Sequence, residues 1–552
     1  MNGTLLLIIG IVIFSSAYIF YGRYLSRLFD VNPNRKTPAH KFSDGLDYVP
    51  TKTSVLFGHH FSSIAGAGPI VGPILALYMG WVPAVLWILI GCVFIGAMHD
   101  FAALFISIRN DGRSIGYAVE SYLGYSGRQI FLLFAWAALL LVVAIFSILI
   151  AKIFLKNPSV ATSSILFIFM SPFFGYLVYK KGISILVGSI IFVPLLFFFV
   201  WVGVLFPLNL TVIFRITPES TFQIWISVLL IYVFFASILP VWLLLQPRDY
   251  LNSYLLYVML IISFLCIFFT APSFNLPAFA SFSKYTLTDK VNLLPILFVT
   301  VACGACSGFH ALVSSGTTSK QIDNERKILP VSYGSMLVEG ILALIAVISV
   351  AVLSKKGFHN ILSTTSPVTA FSNGLAGIIS EVGISYNLAG TFISLAVSAF
   401  MLTTLDTSTR LARFIWQELF IPSANSNKKS GKTGKFFKNY TVATLIVIII
   451  SGYLAFSGNG NKIWPVFGAS NQLLASLTLL VISLYLIRKK VNFWIALIPM
   501  FFMLIISCWA LVLLFIKNFH GNPALLISIG FLIIMAGCLV IKATFSLKQK
   551  GN

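Results

Sequence analysis

The chain has 552 residues, of which 58% are hydrophobic and 9% charged, against about 25% charged in an average soluble protein. That balance excludes a soluble globule and implies a polytopic helical membrane protein. A formal charge of +22 first suggests a nucleic-acid partner, but the basic residues sit mainly between apolar runs and report topology instead.

Runs of roughly 20 apolar residues match the thickness of a bilayer core and predict about 15 spans. In chain order they lie near 4–22, 54–77, 80–108, 129–150, 163–179, 183–206, 222–245, 250–271, 292–316, 330–353, 388–408, 440–457, 464–487, 492–516 and 522–541. Alternating the loops between sides puts 28 of the 37 basic residues on one side, Arg128, Arg248, Arg410 and Arg413 among them, and 9 on the other. The positive-inside rule then places the N-terminus outside and the C-terminus in the cytoplasm. Arg23 and Arg27 follow the first run and no basic segment precedes it, so it reads as a retained span rather than a cleaved signal. The six cysteines (Cys92, Cys266, Cys303, Cys306, Cys508, Cys538) fall within predicted spans and form no secreted-type disulfide framework.

A basic Gly/Ser/Asn-containing loop, 421–439, separates a block of about eleven spans (1–420) from a C-terminal group of four (440–552). In the external connection 354–387, Ser366-Pro367 can cap and start a helix, which predicts a short interfacial or re-entrant element.

Two stretches within spans resist lipid: FGHHFSSIAGAGPIVGP (57–73) and CGACSGFHALVSSGTT (303–318). Backbone broken by Gly and Pro is tolerated at membrane depth only inside protein or beside a wet cavity. Such paired interruptions point to a transporter's binding site. Candidate substrate-binding residues are therefore His59, His60, Ser62, Ser63, Gly66 and Gly68 in the first. In the second they are Gly304, Ser307, Gly308, His310, Ser314, Ser315, Thr317 and Thr318. Half-helix N-termini suit a carboxylate, and unwound carbonyls suit a cation or ammonium. Close packing of small residues is the plain alternative. By the loop assignment the two segments run in opposite directions, as in an inverted repeat.

Ionisable groups inside a membrane are costly and mark proton relays, which nominates Asp100, His310, Glu339 and Asp406 for proton coupling. Asp100 could instead pair with Arg109, and Asp406 with Arg410 at i+4. The hydroxyls of Thr403 and Thr404 could ligate Na⁺ or cap carbonyls. Asn471 and Gln472 are polar within a span and could join helices. No Walker loop, H-E-x-x-H or C-x-x-C-H is present, so no enzyme, metal or cofactor is expected. His59 and His60 face about 100° apart on a helix and make a poor axial pair for haem.

DGLDYVPT (44–51), RNDGRSIG (109–116), PVWLLLQPRDYL (240–251), TTLDTSTRLARF (403–414) and WPVFGASNQLLA (464–475), with the two broken segments, resemble the carbon starvation protein A family over residues 20 to 510. The resemblance implies an all-α inner-membrane secondary transporter of the amino acid–polyamine–organocation superfamily, with a leucine-transporter-like inverted-repeat core containing two discontinuous helices. It also implies uptake of pyruvate or short peptides, by proton symport in the pyruvate case, when nutrients are scarce. The two broken segments lie seven spans apart, where a five-plus-five repeat gives five, so equivalence requires inserted helices. A Na⁺-coupled carrier of another small carboxylate or amine is the alternative. An ion channel or a haem-containing redox protein are the readings from other classes.

Overall fold

The computed structural model describes residues 1–44, 48–240, 242–281, 293–422, 436–457, 460–519 and 523–548. Most of the basic 421–439 loop lies outside them, as do Lys284, Lys290, part of DGLDYVPT and Val241 of PVWLLLQPRDYL.

Every expected span has its helix. In chain order these are α1 (Gly3–Leu28), α2 and α3 (Thr53–Ile64 and Gly68–Met79, bent by 45°), α4 (Trp81–Arg109) and α5 (Ile115–Lys156). Then come α6 (Pro158–Lys180), α7 (Ile185–Leu205), α8 (Pro218–Ile238) and α9 (Leu245–Thr270). A second broken span runs over Ile296–Lys320, with α10 (Ile296–Val301) and α11 (Gly308–Gly316) on either side of its break. The remainder are α12 (Glu325–Ala351), α14 (Tyr386–Leu419), α15 (Tyr440–Phe456), α16 (Ile463–Arg488), α17 (Trp494–Lys517) and α18 (Pro523–Lys542), with a further helix outside the expected spans, α13 (Pro367–Ser380), between α12 and α14. Thirteen of the spans are long and apolar enough to cross a membrane unaided; the α2–α3 pair qualifies jointly, and α15 is shorter.

Of the boundaries that differ from the hydropathy reading, three have a clear local reason. α5 starts at Ile115 rather than 129, because Gly124 (φ 74°, ψ 177°) bends a polar first segment away from the apolar one. α9 starts at Leu245 and draws Arg248 and Asp249 into the helix. α14 continues past 408 to Leu419, because Arg410 donates to the carbonyls of Ala236 and Leu239 and Arg413 to that of Ser237. Arg128, Arg248, Arg410 and Arg413, counted above as loop charges, are all buried; removing them leaves the side-to-side bias intact. In the 354–387 connection, Ser366 Oγ accepts from Thr369 N at 3.2 Å and Pro367 opens α13, as expected.

The burial pattern sorts the helices into centre and shell. α5, the Ile296–Lys320 span, α12 and α16 are buried over more than four-fifths of their apolar stretch, whereas α1, α7, α17 and α18 are buried over a third or less. Exposed Phe, Ile and Leu side chains cover the shell helices, the surface a lipid solvent requires. Both broken segments therefore sit in the centre, shielded from lipid as unpaired backbone must be.

Candidate functional site

The first break follows from Gly66-Ala67-Gly68-Pro69. α2 ends at Ile64, Ala65 leaves helical geometry, and Pro69 restarts the chain in the first turn of α3. In the second, Ala302 takes φ 39° and ψ −110°, a conformation rare for a residue with a Cβ.

The two breaks cross. A Cβ on Gly68 would lie 2.3 Å from Cys303 Cβ, and one on Gly72 would lie 2.5 Å from the carbonyl oxygens of Thr300 and Val301. Only glycine permits that approach. Gly66 packs on Thr404 and Phe146, Gly304 on Pro73 and Ala343, and Gly308 on the backbone of α16. Ser307 stands at the N-cap of α11 but its side chain does not cap. Asn471 does so instead: its Oδ1 accepts from Phe309 N at 2.8 Å, and its Nδ2 donates to Ser307 Oγ at 3.1 Å. Gln472 donates to the carbonyl of Phe298. Both amides join helices, as their position suggested.

Around this crossing lie two buried ionisable clusters. In the first, Asp100 Oδ2 receives His310 Nδ1 at 2.8 Å and Asp100 Oδ1 receives His99 Nδ1 at 2.8 Å. The other nitrogen of His310 faces Glu339 Oε2 at 3.5 Å. All four side chains are 0% exposed. Two carboxylates and two imidazoles share this pocket, so its charge changes with the protons they hold. Asp100 does not pair with Arg109, which bonds Glu325 instead.

Asp406 anchors the second cluster. It accepts from Tyr232 OH at 2.7 Å and from Arg248 Nη1. Arg248 Nη2 also reaches Asp249 at 3.3 Å and Thr403 Oγ1 at 3.4 Å. His59 Nδ1 closes the group on Asp249 Oδ2 at 3.1 Å. The expected i+4 partner Arg410 turns to backbone carbonyls, so the ordinary helix-pair reading of Asp406 is corrected. Thr403 Oγ1 faces two donors, Arg248 and Asn252, which makes it a poor oxygen for Na⁺. Thr404 Oγ1 donates to the carbonyl of Ser63 at 3.3 Å, a group freed by the end of α2.

The remaining candidates divide. His60 Nδ1 meets Thr318 Oγ1 at 2.8 Å, joining the two broken spans. Ser63, Ser315 and Thr317 return their hydroxyls to carbonyls of their own helices. Ser62 and Ser314 are buried with no hydrogen-bond partner among the described residues, which leaves two hydroxyls for a ligand. Sequence reasoning missed His99, Tyr232, Arg248, Asp249 and Asn252. The signal for three of them was QPRDYLN, where the hydropathy boundary at 250 leaves Arg248 and Asp249 outside the span.

His59 also lines two cavities. One, of about 180 Å³, is bounded by Lys52, Tyr179, Gln246, Tyr250 and Gln321, and shares Lys52 and Tyr250 with an open groove of about 710 Å³ that includes Tyr254 and Tyr257. The other holds only about 30 Å³ and is faced by Thr317, Lys320, Thr407 and Arg410.

Two crossed, broken helices buried in a bundle of membrane-length helices, with ionisable groups packed around the crossing, define a secondary transporter. The chain belongs to the family described as carbon starvation protein CstA, whose model matches residues 2–361 and 354–510. It is 33% identical to the peptide transporter CstA of Campylobacter jejuni, over 91% of this chain and 79% of the relative. Against the Escherichia coli peptide transporter CstA the identity is 33%, over 92% and 80%. The Escherichia coli pyruvate/proton symporter BtsT is 30% identical, over 94% and 82%. A crystal structure of the Eremococcus coleocola manganese transporter mutant H236A superposes with a TM-score of 0.51 at 11% identity, covering 92% of this chain and 99% of that one. That likeness concerns the fold alone.

Proposed function

We propose that this chain imports a small carboxylate, pyruvate or a short peptide, across the plasma membrane by proton symport, with its N-terminus outside and its C-terminus in the cytoplasm. The observation that carries the reading is His310, at the start of a half-helix, held between Asp100 and Glu339 with no lysine or arginine bonded to the cluster among the described residues. In such a pocket the uptake or release of a proton changes the charge without bringing a further ion into apolar surroundings. The names of the relatives, a peptide transporter and a pyruvate/proton symporter, support both cargo classes and carrier rather than channel behaviour. The breaks at 65–67 and 302–307, with Ser62 and Ser314, form the cargo site; Asp100 is the leading proton acceptor, assisted by His310 and Glu339.

Proteoliposomes offered labelled pyruvate or a labelled dipeptide should accumulate one of them when an inward proton gradient is imposed, with saturable uptake. Equal accumulation under a Na⁺ gradient at constant pH would remove the proton assignment. Asp100→Asn should abolish gradient-driven accumulation while sparing cargo exchange; full accumulation in that variant would take Asp100 out of the mechanism.

A further inference from the structure

We infer that Arg248 is the residue that takes the cargo's carboxylate, and that Asp406 occupies it until Asp406 is protonated. The inference rests on the proton-coupled carboxylate reading above and names a binding residue that the reading lacks.

Charge comes first. Arg248 is 2% exposed and lies against two carboxylates, Asp249 and Asp406, which are both 0% exposed. The guanidinium and the two carboxylates together carry one net negative charge in a buried setting, where an uncompensated ion is strongly unfavourable. Among the described residues the other titratable groups facing it are Tyr232, on Asp406, and His59, on Asp249; Arg410 and Lys320 line the same small cavity as His59 and Thr407.

Adding a carboxylate alone would raise the charge to two negatives. Adding a carboxylate together with one proton on Asp406 leaves it at one. Loading is then electrically neutral for the cluster only when the two arrive together, which is the condition for symport. Protonation also weakens the hold of Asp406 on the guanidinium, because a charge-assisted bond becomes a neutral one.

Geometry agrees. Buried Arg248 Nε and Asp406 Oδ1 have no hydrogen-bond partner among the described residues, so each group retains bonding capacity that packing has not consumed. A guanidinium fork suits a carboxylate in two-point contact. Arg248 is also linked to the first break through α14: Thr403, which it contacts, adjoins Thr404, which bonds the freed carbonyl of Ser63.

The test uses the full-length protein in proteoliposomes and measures labelled pyruvate or dipeptide exchange at equal pH on both sides. In the wild type KM should rise with pH as Asp406 loses its proton. Asp406→Asn, permanently neutral, should keep a low KM and flatten that rise. The charge-balanced double variant Arg248→Gln/Asp406→Asn should raise KM at least about tenfold over Asp406→Asn, the effect of losing a charged hydrogen-bond partner. A KM that climbs with pH in Asp406→Asn as steeply as in the wild type overturns the inference, and so does an unchanged KM in the double variant. If the double variant fails to fold, the pH profile of Asp406→Asn decides alone. Absence of wild-type exchange with either cargo would instead sink the transport reading itself.

Discussion

His59 and His60 are neighbours in the chain but serve different partners. Successive helical residues point about 100° apart, so His59 reaches Asp249 and the cavities while His60 turns inward to Thr318. The pair was conspicuous in the sequence because histidine has no place in a lipid-facing run, and the same contrast exposed His310, Asp100 and Glu339. Partners were harder to read. Spacing offers Arg410 as the partner of Asp406, whereas its contacts come from α8 and α9, 174 and 158 residues away. Arg248 and Asp249 were hidden by their own charge, since a hydropathy window ends a span where such residues begin. A residue-level prediction follows from the two-sided contact of His310. His310→Gln can still donate to Asp100 but has no second ring nitrogen facing Glu339. It should abolish proton-driven accumulation and leave exchange, as read by the ratio of gradient-driven to counterflow uptake.

At the scale of elements, the broken helices are held open by packing and capping. Gly and Pro announced where the helices stop, but which element fills each gap is a tertiary fact that one chain's spelling does not contain. Gly72 shows this: its place in α3 looks ordinary, yet the carbonyls of Thr300 and Val301 press on it. Gly72→Ala should destabilise the protein by about 1–3 kcal/mol through overpacking, seen as a lower melting temperature in detergent; an unchanged midpoint would contradict the close crossing. Asn471→Ala removes the cap on α11 and strips Phe309 N of its partner. A loss of about 1 kcal/mol is expected, together with weaker cargo affinity, because α11 then loses its fixed start. Restoring a capping acceptor with Asn471→Asp should recover part of the melting temperature.

For the whole molecule, fifteen apolar segments could be counted from hydropathy, because lipid imposes the same length and composition on each. Their arrangement could not. Helix α16 lies beyond the basic loop yet is among the most buried helices, with Asn471 and Gln472 bonded to either side of the second break. The C-terminal helices thus complete the core's hydrogen bonding. A chain ending at residue 422 should therefore fail to give a monodisperse species in detergent. If residues 1–422 alone purified with the melting behaviour of the full protein, the dependence on α16 would be disproved.

The crossing of the broken helices also carries a native chemical reporter. Cys303 is 6% exposed, and its side chain fills the space that a Cβ on Gly68 would take. Any step of the cycle that parts the two breaks must uncover this sulfur. With half-buried Cys508, exposed Cys538 and Cys266, which is as accessible as Cys303, replaced by serine, the rate at which a small membrane-permeant thiol reagent modifies Cys303 becomes a clock for opening. Added cargo or a change of pH should speed or slow that clock, timing the cycle by a single atom already present at its hinge.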